Sequence, residues 1–114
     1  MTGNTKSGNE PDLSVQIGRV RLKNPVLTAS GTCGYGREYA SYADLNRLGA
    51  FTTKSVTLRP RIGNPPPRVV EVPGGMLNAI GLANVGVDEF MSTKVPELAA
   101  LGTTVFVNVA GHSI

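Results

Sequence analysis

The sequence predicts an α/β fold built on a parallel sheet, and three observations predict it. After an initial hairpin, short apolar runs rich in β-branched residues alternate with segments of helical periodicity, which is the repeating βα pattern of parallel strands. The run Thr103 to Val109 is nearly continuous in hydrophobicity, as expected of a strand covered on both faces. Small or polar residues gather at or just past the C-terminal ends of three strands, the edge where parallel α/β folds carry their sites. Right-handed crossovers leave two architectures, an open doubly wound sheet or part of an eight-stranded barrel.

Composition narrows the function classes. With 114 residues and 40% hydrophobic content, the chain buries one modest core and forms one domain or part of one. A charged fraction of only 17% and periodic apolar runs exclude a disordered or collagen-like chain. The formal charge is +3, but the basic residues are scattered and only Arg59, Arg61 and Arg68 cluster loosely. No basic and aromatic interleaving occurs, so a nucleic-acid partner is not expected, and an anionic small molecule suits the mild positive balance better. One cysteine, Cys33, and one histidine exclude a disulfide framework and a zinc site, so no metal is expected. The polar N-terminus lacks the apolar core of a signal peptide, and no apolar run approaches a membrane span. A cytoplasmic setting is the resulting expectation.

In chain order, residues 1–12 have the composition of a disordered tail. Leu13 to Ile17 alternates apolar and polar residues, Gly18-Arg19 supplies a turn, and Val20 to Leu22 alternates again, predicting a short β-hairpin. Val26-Leu27-Thr28 is a short strand feeding a loop of small residues, Ala29 to Gly36. Tyr39, Tyr42, Leu45 and Leu48 recur every three residues, predicting an amphipathic helix with Gly49 as its C-cap. Ala50 to Thr57 is a second strand. Leu58 to Pro73 holds five prolines and three arginines, which excludes a regular interior element and predicts a long surface loop. Val85 to Leu101 keeps a helical spacing that Pro96 must kink or restart.

The long loop delivers the stretch on which function centres, Gly74 to Asn84. Glycines there let backbone approach a flat ligand, and carboxamides donate and accept at once, a composition suited to a neutral polar ring. Its simplest alternative is a glycine-rich turn leading into a helix. Ser30, Lys54 with Ser55, and Asn108 stand at the three strand ends, and their shared edge favours a ligand site over independent turn, surface and core roles. No GxGxxG or P-loop motif occurs, which disfavours a dinucleotide fold.

These residues, taken together, resemble the class 1 dihydroorotate dehydrogenases, specifically the catalytic subunit of the NAD-linked 1B type. The resemblance runs from about Leu13 to the end of the chain. It rests on Asn24-Pro25, Ala29-Ser-Gly-Thr-Cys-Gly-Tyr-Gly36, Asp44-Leu-Asn-Arg-Leu-Gly49, Thr53-Lys-Ser-Val-Thr57, Arg61-Ile-Gly-Asn-Pro65 with Pro67-Arg68, Gly75-Met-Leu-Asn-Ala-Ile-Gly-Leu82 and Asn108-Val-Ala-Gly111. The resemblance implies that residues 13–114 are the N-terminal segment of an FMN-bearing (βα)8 barrel that oxidises dihydroorotate to orotate in pyrimidine biosynthesis.

Carried over by position, Ala29, Ser30, Gly31, Lys54, Ser55 and Asn108 are implied flavin contacts. Lys54 is also an implied substrate contact, and Asn78, Ala79, Ile80, Gly81 and Leu82 match the substrate loop. The resemblance implies an iron-sulfur flavoprotein partner that passes electrons to NAD, and a homodimer or heterotetramer for the full-length protein. Its catalytic base, a cysteine, is expected beyond Ile114, while Cys33 matches a flavin-side loop and is not catalytic. The 114-residue chain alone is accordingly expected to be inactive. Two other readings stay open: a non-catalytic remnant, and a related flavin barrel acting on other dihydropyrimidines.

Overall fold

The computed structural model describes residues 10–113. Of the tail expected over 1–12, residues 1–9 lie outside the described residues. Asp12 accepts from the Ser14 amide at 2.9 Å and faces Arg21 at 3.5 Å.

The hairpin forms as expected. Strands β1 (Val15–Ile17) and β2 (Val20–Leu22) pair antiparallel, with Val15 opposite Leu22 and Ile17 opposite Val20. Leu22 is fully buried and anchors this ribbon to the body.

The parallel sheet is present in a reduced form. Strand β3 (Ala50–Thr52) pairs parallel with a later strand, Thr104–Phe106, while Leu27 makes a parallel bridge to Ala50 on the other side. Thr28 explains why the first strand goes no further, because its hydroxyl, not its backbone, meets the Thr52 main chain at 2.8 Å. Past β3 the pairing resumes at Val56, which bridges Val109, and the Thr53 hydroxyl accepts from the Asn108 amide at 3.3 Å between them.

The helix expected across Tyr39 to Leu48 does not form. Two 3-10 turns replace it, Arg37–Tyr39 and Leu45–Arg47. Asp44 is extended and its carboxylate accepts from the Asn46 amide at 3.0 Å, which starts a new turn where a helix would have continued. Tyr42 is 85% exposed, so the three-residue spacing does not mark a core stripe. Gly49 is not a C-cap either. A side chain there would collide with the Asn24 carbonyl, so close backbone approach explains the residue.

The segment between β3 and the helix is more ordered than its prolines predict. Strands β4 (Val69–Val72) and β5 (Gly75–Asn78) form an antiparallel hairpin around Pro73-Gly74, with Val69 opposite Asn78. Residues 58–68 are loop but for a bridge from Arg61 to Asn84. Gly74 to Asn84 is thus half strand rather than wholly loop.

Helix α1 (Val87–Glu89) runs through a π-helical segment (Phe90–Lys94) into α2 (Val95–Ala99). Pro96 has no N–H to give an α-helical bond, and the wider π turn just before it keeps the helix continuous where a kink or a restart was expected. Strand β6 (Thr104–Phe106) follows, with Ala50 opposite Thr104 and Thr52 opposite Phe106. Tyr35, Leu45, Phe51, Val56, Phe90 and Leu98 form the core between sheet and helix. Full burial of a side chain such as Phe51 is worth about 1.5–3 kcal/mol. The last strand is not covered on both faces: Val107 is 46% and Val109 77% exposed, because no described element packs over them.

Candidate functional site

Two of the three strand ends are joined directly. The Asn108 amide nitrogen donates to the Ser30 hydroxyl at 2.6 Å, linking the end of β6 to the small-residue loop after Leu27. Lys54 ties into the same loop through its backbone, whose N–H donates to the Gly34 carbonyl at 2.9 Å. Among the described residues, no hydrogen bond or ion pair to its ammonium is seen. Ser30, Lys54, Ser55 and Asn108 are each half-buried, whereas Ala29 and Gly31 are exposed. A Cβ built on Gly31 meets nothing within 4 Å, so the space in front of this loop is open. Exposed small residues beside an amide–hydroxyl pair and a lysine are a donor set suited to a flat anionic group.

The second part of the site is the segment Ala79–Leu82, which leaves β5 and is held from two sides. On one side, Asn64 donates its amide to the Ala79 carbonyl at 2.9 Å and its backbone N–H to Ile80 at 3.1 Å, while the Ala79 N–H reaches the Arg68 carbonyl at 2.8 Å. Arg68 braces that brace by donating to the Asn64 and Ile62 carbonyls at 2.5 and 2.9 Å. Gly81 has φ +78°, and a side chain there would sit 2.8 Å from the Asn64 amide, so only glycine fits. On the other side, Asn84 donates to the Leu82 carbonyl at 2.8 Å. Leu82 itself has φ +55°, a conformation that costs a non-glycine residue about 1 kcal/mol or more and persists only where neighbours impose it.

Among the described residues, no hydrogen bond joins Asn78–Leu82 to Ser30, Lys54 or Asn108. Asn78 is exposed at the end of the hairpin, with its backbone paired to Val69. The two parts communicate instead through Asn84, whose amide also binds Thr57, three residues past Lys54. Leu82, Thr57, Leu58, Arg61 and His112 line a cleft of about 580 Å³ where the extensions of β3 and β6 meet the segment. Arg61 and His112 face each other there at 3.5 Å.

Sequence reasoning did not name as site residues the three that hold the segment Ala79–Leu82, namely Asn64, Arg68 and Asn84. All three lie in stretches of recognised pattern, and their polarity amid proline and glycine is the signal that marks them. Cys33 is partly buried and packs against the core. Tyr35 is buried below the loop, against Phe90 at 5.7 Å, with the Lys94 ammonium 5.9 Å from its ring. Burial pushes its phenol above the ordinary value; the nearby Val85 backbone opposes that shift, and Glu38 and Glu89 add to it. The described residues hold no group of three or more His, Cys, Asp or Glu placed for a metal, and no helix among them is long and apolar enough to cross a membrane.

Comparison with known proteins gives one consistent family. The family model described as Dihydroorotate dehydrogenase matches residues 12–114. The chain is 55% identical over 105 residues to a Geotalea uraniireducens protein, covering 92% of this chain and 34% of that one. It is 58% identical over 104 residues to a Pelobacter propionicus protein, covering 91% and 34%. Both are named Dihydroorotate dehydrogenase B (NAD(+)), catalytic subunit. A crystal structure of DHODH in complex with ferulenol from Eimeria tenella is similar in fold, with a TM-score of 0.58 and 22% identity, covering 91% of this chain and 29% of that one. The chain thus spans about a third of the length of the curated relatives it matches.

Proposed function

Because the chain belongs to the dihydroorotate dehydrogenase family, we propose that residues 13–114 are the N-terminal segment of a flavin-binding (βα)8 barrel that oxidises dihydroorotate to orotate in pyrimidine biosynthesis. The observation that carries this reading is the network at the strand ends. Asn108 bonds Ser30, and Lys54 is held by its backbone, with no partner for its ammonium among the described residues. Such an arrangement supports a flat anionic ligand lying against Ala29-Ser30-Gly31.

The residues fit FMN as that ligand. When bound, FMN supplies a two-electron acceptor that takes a hydride from the substrate. Ala29, Ser30 and Gly31 form a low wall in front of open space, and Ser55 and Asn108 add polar contacts at its edge. The Lys54 ammonium would supply a positive charge able to stabilise negative charge on the flavin and to attract the substrate carboxylate. Asn78 has both a donor and an acceptor for the amide edge of a dihydropyrimidine, and Ala79 to Leu82 form the wall beside it. Removal of the neighbouring proton falls to a base outside this segment.

The relatives' names, an NAD(+)-linked enzyme's catalytic subunit, support a separate electron-transfer subunit, in our reading an iron-sulfur flavoprotein. A homodimer or heterotetramer of the full-length protein in the cytoplasm completes the proposal. The test is turnover by the longest natural polypeptide carrying this chain, with a dye as electron acceptor. Orotate formed in step with dye reduction is expected. Inertness toward dihydroorotate alongside oxidation of dihydrouracil would replace this substrate with another dihydropyrimidine.

A further inference from the structure

The segment Ala79–Leu82 and the strand end carrying Lys54 make no direct hydrogen bond to one another, yet both must face one substrate. One side chain spans the gap. Asn84 uses its whole carboxamide: the oxygen accepts from the backbone N–H groups of Thr57 at 3.1 Å and Gly86 at 2.9 Å, while the nitrogen donates to the Leu82 carbonyl at 2.8 Å and the Thr57 hydroxyl at 2.9 Å.

Chemistry fixes the orientation of that amide. A backbone N–H only donates and the Leu82 carbonyl only accepts, so oxygen and nitrogen cannot exchange places. The Thr57 hydroxyl gives its single proton to the Arg59 carbonyl at 2.6 Å and so accepts from Asn84. The Asn84 backbone adds a reciprocal pair with Arg61, each N–H to the other's carbonyl at 2.9 Å. Leu82, whose carbonyl this amide holds, is the non-glycine residue at φ +55°. The conformation of the segment's last residue thus depends on a bond from Asn84, and Asn84 depends on Thr57.

We propose that Asn84 is a positioning residue that sets the substrate-facing segment against the strand bearing Lys54; this rests on the functional reading above. Its side chain acts on protein groups, the Leu82 carbonyl, Thr57 and the Gly86 N–H. Without its amide nitrogen, Leu82 relaxes out of the left-handed region and the segment loses its register with Lys54, while the flavin contacts at Ser30 and Asn108 remain.

Three variants of the longest natural polypeptide test this: Asn84→Ala, Asn84→Asp and Thr57→Val. Asn84→Asp keeps an acceptor toward Thr57 and Gly86 but turns an oxygen toward the Leu82 carbonyl, so it separates positioning from general folding. Flavin content, the orotate dissociation constant, and kcat and KM for dihydroorotate are measured for each. Flavin content should match the parent, while the orotate dissociation constant and KM rise roughly ten-fold and kcat changes less, as displacement of a binding wall requires. Thr57→Val combined with Asn84→Ala should cost little more than Asn84→Ala alone, because both remove one connection. Orotate affinity and KM within two-fold of the parent in Asn84→Asp would overturn the proposal, as would flavin loss in parallel with substrate binding. A parent protein that binds flavin but neither binds orotate nor oxidises dihydroorotate would instead overturn the functional reading, before any variant is compared.

Discussion

The side-chain amide of Asn108 donates to the hydroxyl of Ser30 at 2.6 Å across 78 residues of sequence. This bond closes the edge of the parallel sheet on the small-residue loop and fixes the orientation of both groups at the proposed cofactor site. Ser30→Ala leaves the half-buried Asn108 donor without this partner, a loss of about 1 kcal/mol in binding or stability. We expect flavin occupancy of the purified full-length protein to fall several-fold, read from the ratio of flavin to protein absorbance. Full occupancy in Ser30→Ala would remove the pair from the cofactor site.

Lys54 contributes its backbone to the fold, donating to the Gly34 carbonyl, and its ammonium to the proposed chemistry. Lys54→Ala should keep the bond from residue 54 to the Gly34 carbonyl and therefore the melting temperature, while the rate of flavin reduction drops by about 10²-fold or more. Stopped-flow reduction and thermal unfolding read these independently. Near-normal reduction would take the lysine out of the mechanism.

Gly81 sits against Asn64 with a positive φ, and Gly63 is packed in the same way against the Ile80 carbonyl. Gly81→Ala should displace the substrate-facing segment at a cost of about 1–2 kcal/mol while flavin stays bound. Isothermal titration with orotate is the check, and unchanged affinity would show that the segment tolerates the shift.

Tyr35 places its hydroxyl in the core, where, among the described residues, only the Val85 backbone lies near it and no bond of good geometry forms. A buried hydroxyl without a hydrogen bond costs about 1 kcal/mol or more, so Tyr35→Phe should leave the melting temperature equal or raised. The pH dependence follows from the raised phenol. Its stabilising contribution is complete below the unfolded value of 10.0 and is lost as pH climbs through the folded value above it, so the alkaline fall in stability should shrink in Tyr35→Phe. A variant less stable by more than about 1 kcal/mol would mean that the hydroxyl is bonded in solution.

The sequence was most informative where a pattern is long or chemically dense. The alternation of Val15 to Leu22 and the apolar run at Thr104 to Phe106 each yielded the expected strand, and the parallel order was legible from their sequence spacing. Residues 39–48 misled because three-residue spacing was outweighed by one side chain, Asp44, which caps a new turn at Asn46. The hairpin of β4 and β5 was hidden by flanking prolines, although Val69-Val-Glu-Val72 is itself β-prone. The exposure of Val107 and Val109 just past β6 was not legible, because an apolar run does not say which of its residues a neighbouring element covers. At the proposed site, Asn84 and Asn64 act through loop contacts that no periodicity encodes.

The flavin absorbance spectrum of the longest natural polypeptide carrying this chain, taken before and after anaerobic addition of dihydroorotate, tests the central claim most directly. The flavin band should bleach on addition, establishing cofactor, substrate and hydride transfer in one experiment. A bound flavin that stays oxidised would contradict the proposed reaction, and a protein purified without any flavin would contradict the cofactor site itself.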